Sequence, residues 1–139
     1  MMSRSHARAR IIRHEYRESC SVICLESYVM TPAARLSAAI EVLDDLISRR
    51  RPASDALKDW GLSHRFAGSG DRAAIAALVY DTLRRRSSAS FLMKSETPRA
   101  MLFGALLLER GLTCDEISAL CSGEKFAPEP LTADEAASL

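Results

Sequence analysis

Two runs of three arginines are the residues of this chain whose types and spacing most suggest binding chemistry. Each run follows an apolar helical pattern, and their members are Arg49, Arg50 and Arg51, then Arg84, Arg85 and Arg86. A guanidinium group presents a planar fork of donors that matches a phosphate, so such clusters favour a phosphate-binding surface with salt-sensitive, sequence-tolerant affinity. The alternative is that both runs offset the negative ends of helix dipoles and improve solubility, which requires no ligand.

The segment around His64 and two other aromatic residues offer further candidate contacts. Arg65 lies between His64 and Phe66, and it joins the two arginine runs as a candidate phosphate ligand. His64 either contacts RNA or is an ordinary loop histidine. Trp60 and Tyr80 lie at helical spacing, which favours a place in the core over a role in base stacking.

Arg72 lies where a cation is unfavourable, in the first turn of a predicted helix. The partial positive charge of the helix N-terminus repels a guanidinium there, so another group must compensate. We predict a structural ion pair with Asp44, Asp45 or Asp71, and RNA contact is the alternative.

The cysteines do not form a recognisable metal or redox motif. Three residues separate Cys20 from Cys24, six separate Cys114 from Cys121, and no pair of histidines accompanies them. We therefore predict free thiols in a reducing, cytoplasmic compartment, and no metal site. The serine, histidine and aspartate residues show no motif of nucleophilic catalysis, so no residue of this chain is predicted to be catalytic.

Composition predicts a single all-α domain. The chain has 139 residues, of which 47% are hydrophobic and 6% aromatic. This length suits one domain with its own core, and the abundance of alanine and leucine favours helices over strands. The formal net charge of +1 gives no bulk attraction to nucleic acid, so any electrostatic attraction must come from local clusters. The longest apolar run, residues 100–108, is too short to span a membrane and predicts a central helix.

Apolar periodicity and capping residues predict a bundle of five to six helices. The main predicted helices cover about residues 32–50, 55–60, 70–86, 98–110 and 114–121, and residues 87–96 form a short helix or a loop. The predicted N-caps are Thr31, Ser54, Ser69, Thr97, Thr113 and, near the end of the chain, Thr132. Glu116 completes a capping box with Thr113, and Gly111 is typical of the position that follows a helix.

The two ends of the chain differ from the region between them. Residues 1–29 contain five arginines and three glutamates with little periodicity, and a transit peptide would be poor in acidic residues. Because the pattern changes at Met30, our hypothesis is that Met30 is the physiological start and that residues 1–29 are an upstream or disordered extension. Residues 123–139 contain two prolines and predict an extended linker toward a further domain.

The sequence DRAAIAALVYDTLRRR, residues 71–86, resembles the Asp-Arg…Leu-Val-Tyr-x-x-Leu-Arg helix of NusB-like domains. Three flanking stretches agree with this resemblance: ARLSAAIEVL and SDALKDW before it, and TPRAMLFGALLLERGL after it. The tail ALCSGEKFAPEPLTADEAA is similar to the lead into the catalytic half of NusB-fused RNA methyltransferases. These are the S-adenosylmethionine-dependent RNA cytosine-C5 methyltransferases of the RsmB/Sun class, and the resemblance covers about residues 31–139.

The resemblance implies an all-α, NusB-like, RNA-binding domain over residues 30–122, followed by a linker over residues 123–139. Its implied partners are ribosomal or transfer RNA and a methyltransferase domain that this chain does not contain. S-adenosylmethionine and the catalytic cysteines belong to that domain, because this chain has no glycine-rich cofactor loop and Cys114 lies within a helix-capping box. Two alternatives stay open: a free-standing NusB-like transcription antitermination factor, and a helical protein–protein scaffold.

Overall fold

The computed structural model describes residues 29–139, which form seven α-helices and no strand. The helices are α1 Pro32–Ser48, α2 Ala53–Ser63, α3 Ser69–Arg84, α4 Arg86–Met93, α5 Pro98–Arg110, α6 Cys114–Leu120 and α7 Ala133–Ser138. The predicted all-α bundle is confirmed, with one helix more than the upper predicted count. The predictions for the N-terminal extension and for Cys20 and Cys24 lie outside the described residues.

Two helices begin with a threonine followed by a proline, as predicted. The Thr31 hydroxyl accepts a hydrogen bond from the amide of Ala34 at 3.2 Å, and Pro32 occupies the first position of α1. Thr97 and Pro98 play the same roles in α5. A threonine N-cap satisfies an amide that has no partner within the helix, and a proline at the first position loses no hydrogen bond there.

The two helices nearest the C-terminus begin with a capping box. Thr113 accepts from the amide of Glu116, and the Glu116 carboxylate accepts from the amide of Thr113. Thr132 and Glu135 form the same pair of hydrogen bonds at the start of α7. Both helices are short, so these reciprocal bonds contribute a large part of their local stability.

The predicted serine caps of α2 and α3 are wrong. Pro52 is the N-cap of α2, so Ser54 lies inside the helix. Gly68 is the N-cap of α3, its carbonyl accepts from the amide of Arg72 at 2.9 Å, and Ser69 is the first helical residue. Pro52 and Gly68 both have extended backbone angles, which an N-cap requires even without a side-chain hydrogen bond.

Helix α5 is the centre of the bundle, as its apolar sequence predicts. Every residue from Ala100 to Leu106 is buried, and Phe103 is completely inaccessible. The helix packs against α1, α3, α4 and α6. A helix with apolar residues on most of its surface can bury all of them only when other helices surround it.

Helix α4 lies unusually close to α5. A Cβ atom on Gly104 would be 2.8 Å from the Cβ and 2.9 Å from the Cα of Ala89, which is closer than such atoms pack. The absence of a side chain on Gly104 therefore lets the two backbones approach each other. This contact sets the position of α4 and determines which of its side chains face outward.

A buried carboxylate joins α1 to α3. Asp71 is 4% exposed and accepts hydrogen bonds from Arg35 at 2.7 and 3.0 Å and from the amide of Met30 at 3.2 Å. Burial would raise the pKa of this carboxyl, but the hydrogen bonds from Arg35 and Met30 outweigh burial and lower the pKa below its ordinary value. Asp71 is therefore ionised in the folded protein at neutral pH.

The C-terminal segment, residues 123–139, packs against the bundle. Arg99 of α5 donates to the carbonyls of Glu129 and Pro130 at 2.7 and 3.0 Å and to the Glu135 carboxylate at 2.9 Å. The Arg99 guanidinium also lies 4.8 Å from the centre of the Phe103 ring. The segment was predicted as an extended linker with Thr132 as a helix N-cap near its end, and its last part is helix α7 with that N-cap. Its connection to a further domain stays a prediction.

Candidate nucleic-acid interface

The first arginine run closes α1, and two of its members pair with acidic residues. Arg49 lies 3.0 Å from Asp45, while Arg51 lies 3.6 Å from Asp45 and donates a hydrogen bond to Asp59. The hydrogen bond from Arg51 lowers the pKa of Asp59. Arg50 is exposed, has a left-handed backbone and has no acidic partner among residues 29–139.

The second arginine run lies at the junction of α3 and α4, beside the end of α5. Arg85 donates to Glu109 at 2.6 Å, and Arg84 lies 3.5 Å from Glu109 and 3.6 Å from Asp81. Arg110 donates to the same Asp81 at 3.0 Å. Three cations thus share two carboxylates, an arrangement that joins α3 to α5 and leaves an excess of positive charge.

Arg86 is different from its two neighbours. It is the first residue of α4, it is exposed, and no carboxylate of the described part of the chain pairs with it. Arg65, in the loop after α2, is likewise exposed and pairs with no carboxylate of the described residues. The structure therefore divides each arginine run into two paired residues and one available cation, and it places Arg65 apart from both runs.

The expected ion pair of Arg72 is not formed with any carboxylate that the structure describes. Its guanidinium instead donates to the carbonyls of Ala67 and Gly61, each at 3.0 Å. Asp71, a predicted partner, is occupied by Arg35. Gly61 lies in the last turn of α2, whose carbonyls carry partial negative charge, so this helix end supplies the compensation that we expected from an acid.

An open groove of about 520 Å³ follows the outer face of α4. It is lined by Arg86, Ser87, Ser90, Phe91, Lys94, Ser95 and Glu96. Arg86, Ser90 and Lys94 are four residues apart, which places them along one side of the helix. From sequence, this stretch was predicted only as a short helix or a loop. The pattern that identifies it is an aromatic residue between two cations, with serines at helical spacing.

Aromatic residues form a second cavity, of about 470 Å³, between α1 and α2. The rings of Trp60 and His64 are stacked with centroids 4.3 Å apart, and Phe66 meets His64 edge-on at 5.7 Å. Trp60 donates its indole N–H to Glu41 at 3.1 Å and is half-buried, so it lies at the edge of the core. Tyr80 was predicted in the core, but it is 44% exposed.

Comparisons of the chain with protein-family models, with curated proteins and with solved structures find no match.

Within residues 29–139, none of the helices has the length and apolar character needed to cross a membrane. The same residues contain no group of three or more His, Cys, Asp or Glu side chains placed to bind a metal ion. Cys114 and Cys121 are free thiols, and burial raises the pKa of Cys121.

Proposed function

We propose that residues 30–122 form a NusB-like RNA-binding domain that presents ribosomal or transfer RNA to a cytosine-C5 methyltransferase domain. The observation that carries RNA binding is the groove on α4, where Arg86 and Lys94 lie on one face with no acidic partner among residues 29–139. The association with methylation rests on the sequence resemblance of residues 31–139. By that resemblance, S-adenosylmethionine and the catalytic cysteines belong to the other domain.

The spacing of the two cations suits a nucleic-acid strand. Arg86 and Lys94 are eight residues apart, which corresponds to about 12 Å along a helix. A strand carries one phosphate for each nucleotide, so a stretch of that length presents several phosphates to the groove. The hydroxyl groups of Ser87 and Ser90 line the same groove and are suitable donors to phosphate or ribose oxygens.

The paired arginines add to this surface. Arg84 is 62% exposed and Arg85 is 48% exposed. Ion pairs at such exposure contribute little to stability, so these guanidinium groups can exchange a carboxylate for a phosphate at low cost. We therefore include Arg84 and Arg85 in the proposed site, with Arg86 as its principal cation.

The experiment is a titration of RNA with residues 30–139 over a series of salt concentrations. We expect binding that weakens with salt, and a variant with Arg86→Gln and Lys94→Gln should reduce the slope of log K against log salt by about 1.4. The matched control is Lys58→Gln with Lys125→Gln, which removes two exposed cations outside the groove and should leave the slope unchanged. A parent protein with no RNA affinity at low salt would overturn the proposal.

The cavity between α1 and α2 favours a second candidate function, a protein–protein scaffold. Its walls include Trp60, Phe66 and Phe126, and the last two rings are 54% and 61% exposed. A cavity with aromatic walls suits an apolar side chain of a protein partner. Trp60 is the only tryptophan of the chain, so its fluorescence reports occupancy. This candidate predicts a fluorescence change with apolar peptides and unchanged peptide binding after Arg86→Gln.

A further inference from the structure

Phe91 is the most exposed of the large hydrophobic residues in the described part of the chain. Its side chain is 88% exposed, while Ala89 and Met93 of the same helix are buried. Single exposed apolar residues are common, so the exposure of Phe91 indicates a binding site only if the neighbouring side chains also suit a ligand. Burial of such a ring would be favourable, and folding leaves that stabilisation unused.

The surroundings of Phe91 are polar and cationic. Arg86 and Lys94 flank it, and the other residues that line the groove are serines and Glu96. Among the residues that the structure describes, no second apolar side chain lines the groove, so an apolar protein surface would find a single ring to contact there. A nucleotide combines a flat base with an anionic phosphate, and this groove combines an exposed ring with cations and hydroxyl groups.

Local packing fixes the backbone that carries the ring. The close contact of Gly104 with Ala89 sets α4 against α5. At the end of α4, Lys94 adopts a left-handed backbone, and its amide donates to the carbonyl of Phe91 at 3.3 Å. Phe91 and Lys94 therefore extend from a helix end whose backbone is already ordered, so binding has to order only their side chains.

We propose that Phe91 is a stacking platform for an unpaired base, and that the α4 groove therefore selects single-stranded over double-stranded RNA. The inference rests on the proposed RNA-binding function and names the kind of RNA. Bases within a duplex are stacked on each other and paired, so their faces are not available to Phe91. Base–aromatic stacking makes a sequence-tolerant contribution, which corresponds to about fivefold to a hundredfold in affinity for one base.

The test compares a fluorescein-labelled oligouridine with an RNA duplex of the same length, at one salt concentration. We expect the parent to prefer the single strand. Phe91→Ala should lose about fivefold to a hundredfold in affinity for the single strand with little change for the duplex. Phe91→Trp should restore binding, because it keeps an aromatic face. The matched control is Phe126→Ala, which removes an exposed phenylalanine outside the groove and should change neither affinity.

The outcomes separate this inference from the proposed function. Salt-dependent RNA binding that Phe91→Ala leaves unchanged, or reduces equally for strand and duplex, would overturn the stacking role alone. A parent that binds neither RNA would overturn both proposals. Substitution of an exposed ring should not unfold the protein, and circular dichroism of Phe91→Ala checks this. A 2-aminopurine base in the oligonucleotide adds a direct readout, since stacking on Phe91 quenches its fluorescence.

Discussion

At the scale of single residues, the partner of a charged side chain decides what that side chain does. Arg85 and Arg86 are adjacent, yet Arg85 is paired with Glu109, whereas Arg86 has no acidic partner among residues 29–139 and can bind an external anion. Asp71, by contrast, is buried, and it accepts two hydrogen bonds from Arg35 of α1 and one from the amide of Met30. A buried charge requires such partners, whereas an exposed charge is stabilised by water.

Asp71→Asn tests the structural role of this carboxylate. The variant loses charge-assisted hydrogen bonds to Arg35 and should reduce the free energy of unfolding by about 1.5–3 kcal/mol at neutral pH. The folded pKa of Asp71 lies below that of an unfolded aspartate, about 3.9, so its contribution is complete above that pH. It should be lost as pH falls below about 4 toward the folded pKa.

Urea denaturation of the parent and of Asp71→Asn at several pH values measures this contribution. The difference between their free energies of unfolding should be constant near neutral pH and should shrink in acid. Glu124→Gln, at an exposed carboxyl, is the control and should differ little from the parent at any pH. If the difference in free energy of unfolding between the parent and Asp71→Asn were the same in acid as at neutral pH, the stabilising role of the ionised Asp71 carboxylate would be contradicted.

At the scale of elements, one glycine sets how α4 is presented. The backbones of α4 and α5 meet at Gly104 and Ala89, and this contact lets the short α4 turn its polar face with Phe91 to solvent. A larger residue at position 104 would move α4 away from α5. The groove therefore depends on a small residue that lies inside the core and contributes no side chain to the site.

Gly104→Ala should destabilise the fold even though alanine is the better helix former. The cost of overpacking against Ala89, about 1–3 kcal/mol, exceeds the gain of about 0.5–1 kcal/mol in helix propensity. Gly70→Ala in the first turn of α3 is the matched control, since a Cβ there meets no heavy atom within 4 Å. Chemical denaturation should show lower stability for Gly104→Ala and equal or higher stability for Gly70→Ala. Equal effects at both positions would refute the close-contact argument.

At the scale of the whole molecule, the C-terminal segment holds distant parts of the bundle together. Arg99 of α5 bonds the segment near Glu135, and Ser37 of α1 donates to the carbonyl of Phe126 at 2.9 Å. Burial would raise the pKa of Glu135, but the hydrogen bonds from Arg99 and Thr132 and the charge of Arg99 together outweigh burial and lower that pKa. The segment is therefore a part of the folded domain.

Arg99→Gln should release this segment without unfolding the helices beneath it. Loss of the hydrogen bonds to Glu129, Pro130 and Glu135 removes about 1.4 kcal/mol or more, which corresponds to about tenfold faster hydrogen exchange. We expect this acceleration in residues 129–138 and unchanged protection in α1 and α5. Arg110→Gln, whose partner is Asp81, should leave the segment unchanged. Equal acceleration throughout the chain would indicate global destabilisation instead.

The sequence by itself determined the local features of this protein. The starts of α1, α5, α6 and α7 were predicted because each cap joins residues no more than three positions apart. The central place of α5 was predicted because its composition is apolar on most sides. Cap bonds and apolar periodicity act within one or two turns, so they can be deduced before the rest of the fold is known.

Only the tertiary structure decided which charges are paired and which are available. Arg35 meets Asp71 across 36 positions of the chain, and Arg85 meets Glu109 across 24. The groove on α4 depends in addition on the contact of Gly104 with Ala89, which no local pattern reveals. An arginine has the same intrinsic chemistry at every position, and its role depends on the carboxylates and carbonyls that packing brings within hydrogen-bond distance.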